Sequence, residues 1–117
     1  MKISIITVCY NSQKTIKDTI EAVINQSYSN IEYLIMDGAS NDSTLKIINQ
    51  FKSHIDVFIS EKDHGIYDAI NKGILKASGE IIGLLHADDI FDNHHVIENV
   101  AESFDLNKEI LYGDITY

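Results

Sequence analysis

Four times along this chain a short run rich in Ile, Val, Leu and Thr gives way to a polar cluster and then to apolar residues at three- and four-residue intervals. The first run, Lys2 to Cys9, closes on Tyr10-Asn11-Ser12, as a buried strand ending in a turn does. Ile16, Ile20, Val23 and Ile24 then lie at offsets of four, seven and eight, one face of a helix that Asn11 or Ser12 would cap. "IEYLIMDG" reads as a second strand and "NDSTLKIINQFK" as a second helix, with Asp42 or Ser43 near its N-cap and Leu45, Ile48 and Phe51 inward. Asp56 to Ser60 is the third strand, followed by a loop around Gly65 and a helix from Ile66 to Ala77 that Gly79 ends. "EIIGLLH" is the fourth strand. A helix capped by Asp92, with Val96, Ile97, Val100 and Phe104 inward, and a last strand, "EILYGDITY", complete the series. This alternation predicts an α/β fold, a mostly parallel sheet with helices on both faces.

At 117 residues, 44% of them hydrophobic, the chain can bury one core and reads as a single domain without repeats, linkers or proline. Eighteen acidic against nine basic residues leave a net charge of -9, which argues against a nucleic-acid binder that tracks phosphates with clustered Lys and Arg. Phosphates can still be held by backbone amides and a bound divalent cation. The single cysteine, Cys9, lies in an apolar run and has no disulfide partner, so it reads as a structural thiol in a cytoplasmic setting. No segment has the form of a signal peptide or a membrane span, so membrane contact is expected to be peripheral or through a partner. The apolar final strand would leave an open edge, as in a fragment or a homo-oligomer joined through it.

In a parallel α/β sheet the ligand crevice lies beyond the carboxyl ends of the strands. Those exits here are Tyr10-Asn11-Ser12, Asp37-Gly38-Ala39-Ser40, Glu61-Lys62-Asp63 and His86-Ala87-Asp88-Asp89, all polar or acidic. Single acids at such places cap helices, as expected of Asp42 and Asp92. The adjacent pair Asp88-Asp89 is different, because each carboxylate disfavours ionisation of the other unless a cation or donor intervenes. Gly38, Gly65, Gly73 and Gly79 fall where backbone needs positive φ or close approach. Neither G-x-G-x-x-G nor a P-loop is present, and His64, His86, His94 and His95 lack any metal-ligand spacing, so no role is assigned to them.

Three motifs in order, T-x-x-Y-N after the first strand, D-G-A-S-N-D after the second, and A-x-G-E-I-I-x-x-L-x-A-D-D, resemble the nucleotide-sugar-binding half of family 2 glycosyltransferases with the Rossmann-like GT-A fold. The likeness covers nearly the whole chain and is strongest to members that build bacterial surface polysaccharides. It implies contacts to base and ribose from Thr7, Tyr10 and Asn11, a contact to the base from Asp37, Asp88 near the ribose, and Asp89 on the Mg²⁺ or Mn²⁺ that bridges the diphosphate. Many members carry Arg just before the Asn of "DAINKG"; Ile70 stands there, and Lys72 is the nearest candidate for the basic contact. The acidic element is A-D-D, one carboxylate short of a strict D-x-D.

The resemblance further implies inverting transfer of a sugar from a nucleoside diphosphate sugar, UDP-linked by the family's habit, to a saccharide or lipid-linked acceptor at the inner face of a membrane. Such a displacement needs a general base. The family's base lies on a downstream acceptor half to which nothing here maps, so the 117 residues are expected to hold the donor site and lack most of the acceptor site. A binding module without turnover is the alternative. A receiver domain or a haloacid-type phosphatase would need acids after the first strand, where Cys9-Tyr10-Asn11 stand. A purely structural role through the last strand is the remaining reading.

Overall fold

The computed structural model describes residues 2–62 and 64–87 and the backbone of 109–110. Its centre is β1 (Ile3–Cys9), all seven residues buried because strands flank it on both sides and helices cover both faces. β2 (Ile31–Asp37) pairs with it in parallel from Ile3↔Ile31 to Cys9↔Asp37. β3 (Val57–Ser60) adds outside β2, β4 (Ile81–Leu84) lies on the other side of β1, and β5 (Glu109–Ile110) is beyond β4. The order β3-β2-β1-β4-β5 is parallel throughout, as the alternation predicts.

The chain first winds outward through α1 (Ile16–Ile24) and α2 (Thr44–Gln50), then crosses back over the sheet through α3 (Ile66–Lys76) to reach β4. Right-handed crossovers running in opposite directions place their helices on opposite faces. The core divides accordingly. Ile3, Ile5, Tyr33 and Ile35 pack with Ile16, Ile20, Val23 and Ile48. Ile6, Val8, Leu34 and Met36 pack with Ala69 and Ile70. Each fully buried aliphatic side chain contributes about 1.5–3 kcal/mol. α3 lies so close to β1 that a Cβ on Gly73 would come within 2.7 Å of Ile6 Cγ2.

Several local expectations change. α1 begins at Ile16, with Thr15 as an N-cap that makes no side-chain bond, because Ser12 offers its carbonyl to the Thr15 and Ile16 N–H groups while its hydroxyl turns to Tyr10. In α2 Thr44 and Ile48 are buried whereas Leu45 and Phe51 are only partly so, since Thr44 accepts the Ser12 N–H at 2.8 Å and must face inward. Asp42 keeps its capping role through the Thr44 N–H at 2.9 Å. β3 starts at Val57 because the Asp56 carboxylate takes the Tyr33 N–H at 2.8 Å in place of a ladder bond. The positive φ at the second strand exit falls on Ala39 rather than Gly38, and Gly65, with φ 118, opens α3. The helix expected at Asp92 and all of the last strand but Glu109–Ile110 lie outside the described residues.

Candidate functional site

The winding reverses between β1 and β4, and the open-sheet rule puts a crevice at their carboxyl ends. A cleft of about 430 Å³ lies there, lined from β1 by Val8, Cys9 and Tyr10, from α3 by Ile66 and Ala69, and from the end of β4 by His86 and Ala87. Tyr10 is 60% exposed at its rim, an aromatic ring held against water by a strand otherwise wholly buried. Ala87 is fixed there by its N–H to the Val8 carbonyl, 3.2 Å, and by the Thr19 hydroxyl on its own carbonyl, 2.5 Å.

The first two strand exits are clasped together. Asn11, at φ 46, donates its N–H to the Ser40 hydroxyl at 2.8 Å and accepts the Asn41 N–H on Oδ1 at 2.9 Å. Gln13 donates its N–H to Asp42 and accepts the Ser43 N–H. Asn tolerates the left-handed region better than most residues, and these bonds hold it there.

Asp37 is 2% exposed beneath this clasp. Its Oδ1 accepts the Cys9 thiol at 3.3 Å and the Ser40 hydroxyl at 2.6 Å, and its Oδ2 accepts the Ser40 N–H at 2.9 Å and the Ser60 hydroxyl at 2.8 Å. Burial, and then the neighbouring Asp37 charge, push the Cys9 thiol far above its ordinary value, so Cys9 stays a protonated donor and the structural reading of it holds.

Of the residues expected to meet a nucleotide, the structure brings Tyr10 to the cleft; Asn11, the next residue, is exposed but is turned to Ser40 and Asn41 and does not line it. Thr7 is withdrawn: it is fully buried, its hydroxyl 2.8 Å from that of Tyr33. Asp37 is equally enclosed, its lone pairs occupied within the chain. Lys72 reaches Glu61 at 2.8 Å and Asp68 at 3.3 Å, and the Glu61 bond first, then Asp68, outweigh desolvation and raise its pKa. That pairing also turns the third strand exit toward α3. Asp88 and Asp89 lie outside the described residues. Among the described residues no three His, Cys, Asp or Glu side chains gather as a metal site would require.

Ser40 and Ser60 were not legible as partners of Asp37, because a serine at a strand exit carries no spacing signal; only their place beside an acid hinted at it. His86, with no role from sequence, borders the cleft.

The profile of glycosyl transferase family 2 matches residues 4–117. The chain is 37% identical over 93 residues to the poly-beta-1,6-N-acetyl-D-glucosamine synthase of Staphylococcus epidermidis, covering 78% of this chain and 23% of that one. It is 32% identical over 113 residues to the UDP-Glc:alpha-D-GlcNAc-diphosphoundecaprenol beta-1,3-glucosyltransferase WfgD of Escherichia coli, covering 96% and 45%. The chain thus spans less than half the length of these curated relatives. Among solved structures, S. aureus TarS 1-349 in complex with UDP-GlcNAc superposes with a TM-score of 0.80 at 24% identity, over 87% of this chain and 30% of that one. The mannosyltransferase PcManGT of Pyrobaculum calidifontis, in complex with GDP-Man and Mn²⁺, gives 0.80 at 21%, over 86% and 31%. At such identities the superpositions speak for the fold alone, and it is the fold of these transferases. Profile, relatives and fold agree, and the chain belongs to glycosyl transferase family 2.

Proposed function

We propose that this domain binds a nucleoside diphosphate sugar, UDP-linked in preference, with a divalent cation, and serves as the donor half of an inverting glycosyltransferase in bacterial surface polysaccharide synthesis. The observation that carries the reading is the cleft at the β1/β4 reversal, rimmed by Tyr10 and closed by Ala87, from which the sequence runs directly into Asp88-Asp89. Tyr10 offers a face for a base or sugar ring, and the exposed Asn11 beside it keeps its side-chain amide N–H groups to donate.

The ligand chemistry of the acidic pair fits the cation. Two carboxylates and no soft donor suit Mg²⁺ or Mn²⁺, whose remaining positions diphosphate oxygens would fill. Asp89 is the proposed ligand and Asp88 its neighbour near the ribose. When bound, the ion neutralises the pair and stabilises charge on the departing diphosphate. The activities of the relatives support a saccharide or lipid-linked acceptor. No helix among the described residues is long and apolar enough to cross a membrane. Peripheral contact at a cytoplasmic face belongs to the proposal.

Calorimetric titration of UDP with and without Mn²⁺, on the wild type and Asp89→Ala, tests the reading. Metal-dependent binding that the variant lacks is expected. A folded sample that binds neither UDP nor GDP with the metal would overturn it.

A further inference from the structure

An ionised carboxylate accepts at about four lone-pair positions and donates nothing. In Asp37 all four are taken, by Cys9, by Ser40 twice and by Ser60, and the side chain is shut away from solvent. A base N–H could reach this carboxylate only by expelling one of those donors and leaving it buried and unpaired, which disfavours the exchange. The donors come from the ends of β1 and β3 and from the loop that follows β2, so the acid joins three neighbouring strand exits.

We infer that Asp37 is a positioning residue, and that it acts on the cleft through Ser40. The Asn11 N–H donates to the Ser40 hydroxyl, which donates in turn to Asp37 Oδ1. Each bond in such a line polarises the next, and the anion at its end fixes which way the hydroxyl proton points. The Ser40 oxygen is thereby free to accept from Asn11, whose left-handed backbone sets where Tyr10, one residue earlier, meets the cleft. Asp37 therefore tunes nucleotide affinity without touching the nucleotide. For its affinity readout the inference rests on the nucleotide reading above.

The test uses UDP, CDP, GDP and ADP, each with Mn²⁺, against the wild type, Ser40→Ala, Ser40→Thr and Asp37→Asn, with amide exchange of Asn11 followed in parallel. Losing one charge-coupled bond corresponds to about tenfold in affinity. Ser40→Ala should weaken every nucleotide that the wild type binds by about that factor, Ser40→Thr should restore it, and Asn11 exchange should quicken in both Ser40→Ala and Asp37→Asn. A changed preference among the four bases in Asp37→Asn would overturn the inference, as would unchanged Asn11 exchange in the two variants. If Asp37→Asn does not fold, Ser60→Ala takes its place, and weakened binding uniform across bases is again expected. Should the wild type bind none of the four, the nucleotide reading falls, and Asn11 exchange alone decides the positioning role.

Discussion

The Thr7 hydroxyl and the Tyr33 phenol lie 2.8 Å apart in the core between β1 and β2, neither side chain more than 2% exposed. Burial pushes the phenol's pKa up and the Thr7 bond only partly opposes it, so the pair is a neutral hydrogen bond sealed from water. Thr7→Val keeps the shape and leaves a buried hydroxyl without its partner, which should cost about 1–3 kcal/mol in urea unfolding. The double variant Thr7→Val/Tyr33→Phe removes both polar groups and should recover much of that loss. UDP affinity of the double variant should match the wild type; a tenfold loss would return Thr7 to the nucleotide site.

Much of the fold was legible because the period-two and period-3.6 patterns alternate without interruption, and a strand buried on both faces has little choice of composition. Ile16, Ile20 and Val23 are buried as their spacing predicts. Side chains that hydrogen-bond across the chain were harder to foresee. Thr44 displaces Leu45 from the core because it answers Ser12, and that partnership between positions 32 apart leaves no local pattern. For the site the same limit cut deeper. The motif-bearing Thr7, Asp37 and Lys72 carry polar groups that a sequence presents as available, and only the fold reveals Tyr33, Ser40, Ser60 and Glu61 already holding them.

Ala39 occupies φ 62, which costs a residue with a Cβ about 1–2 kcal/mol relative to the right-handed regions. Ala39→Gly removes that cost and adds about 0.4–1 kcal/mol of unfolded-state entropy against folding. The net expectation is a gain of between zero and about 1.6 kcal/mol, read as a higher urea midpoint at unchanged m-value. A lower midpoint would show that this loop carries no strain.

Glu32 ties β2 to the turn between α3 and β4, accepting the Ser4 hydroxyl at 2.8 Å, the Ser78 N–H at 2.8 Å and the Ser78 hydroxyl at 2.7 Å. Burial by itself would raise its pKa, but the Ser78 and Ser4 bonds outweigh it and hold the carboxyl below the usual range. A depressed folded pKa adds stability above the unfolded value of about 4.3 and loses it as pH falls through the folded value. The melting-temperature advantage of the wild type over Glu32→Gln should therefore be constant near pH 7 and shrink below about pH 4.5. A gap of the same size at pH 3 would contradict the assignment.

The turn that Glu32 holds also admits no side chain at Gly79. A Cβ there would sit 2.7 Å from the Ser4 backbone nitrogen and 2.5 Å from the Ser4 hydroxyl that the Gly79 N–H uses. Backbone cannot yield as a flexible side chain can, so Gly79→Ala must push the turn between α3 and β4 away from β1 or forfeit the Ser4 bond. Overpacking of this kind costs about 1–3 kcal/mol. Among the described residues Gly65→Ala meets no neighbour within 4 Å, and its backbone, at φ 118, is one that L side chains rarely adopt. Unfolding of both variants separates the two causes: adding Ser4→Ala should relieve part of the Gly79→Ala loss and none of the Gly65→Ala loss.

Cys9 offers the opposite pH signature to Glu32. Its thiol is raised by burial and by the Asp37 charge, whereas in the unfolded chain it ionises near the ordinary value of about 8.5. Below that value its stabilisation is complete. As pH rises past it the unfolded state releases a proton that the folded state keeps, and stability falls by at most about 1.4 kcal/mol per pH unit. Cys9→Ala removes the titration and one of the four Asp37 donors, so the variant should start less stable at pH 7 and lose less between about pH 8 and 9.5. Iodoacetamide should label the folded wild type far more slowly than the urea-unfolded chain, since in the native state the thiol is held protonated against Asp37 and only 9% of the residue is exposed. Parallel stability curves, or native labelling as fast as unfolded, would mean that the thiol is not held against Asp37.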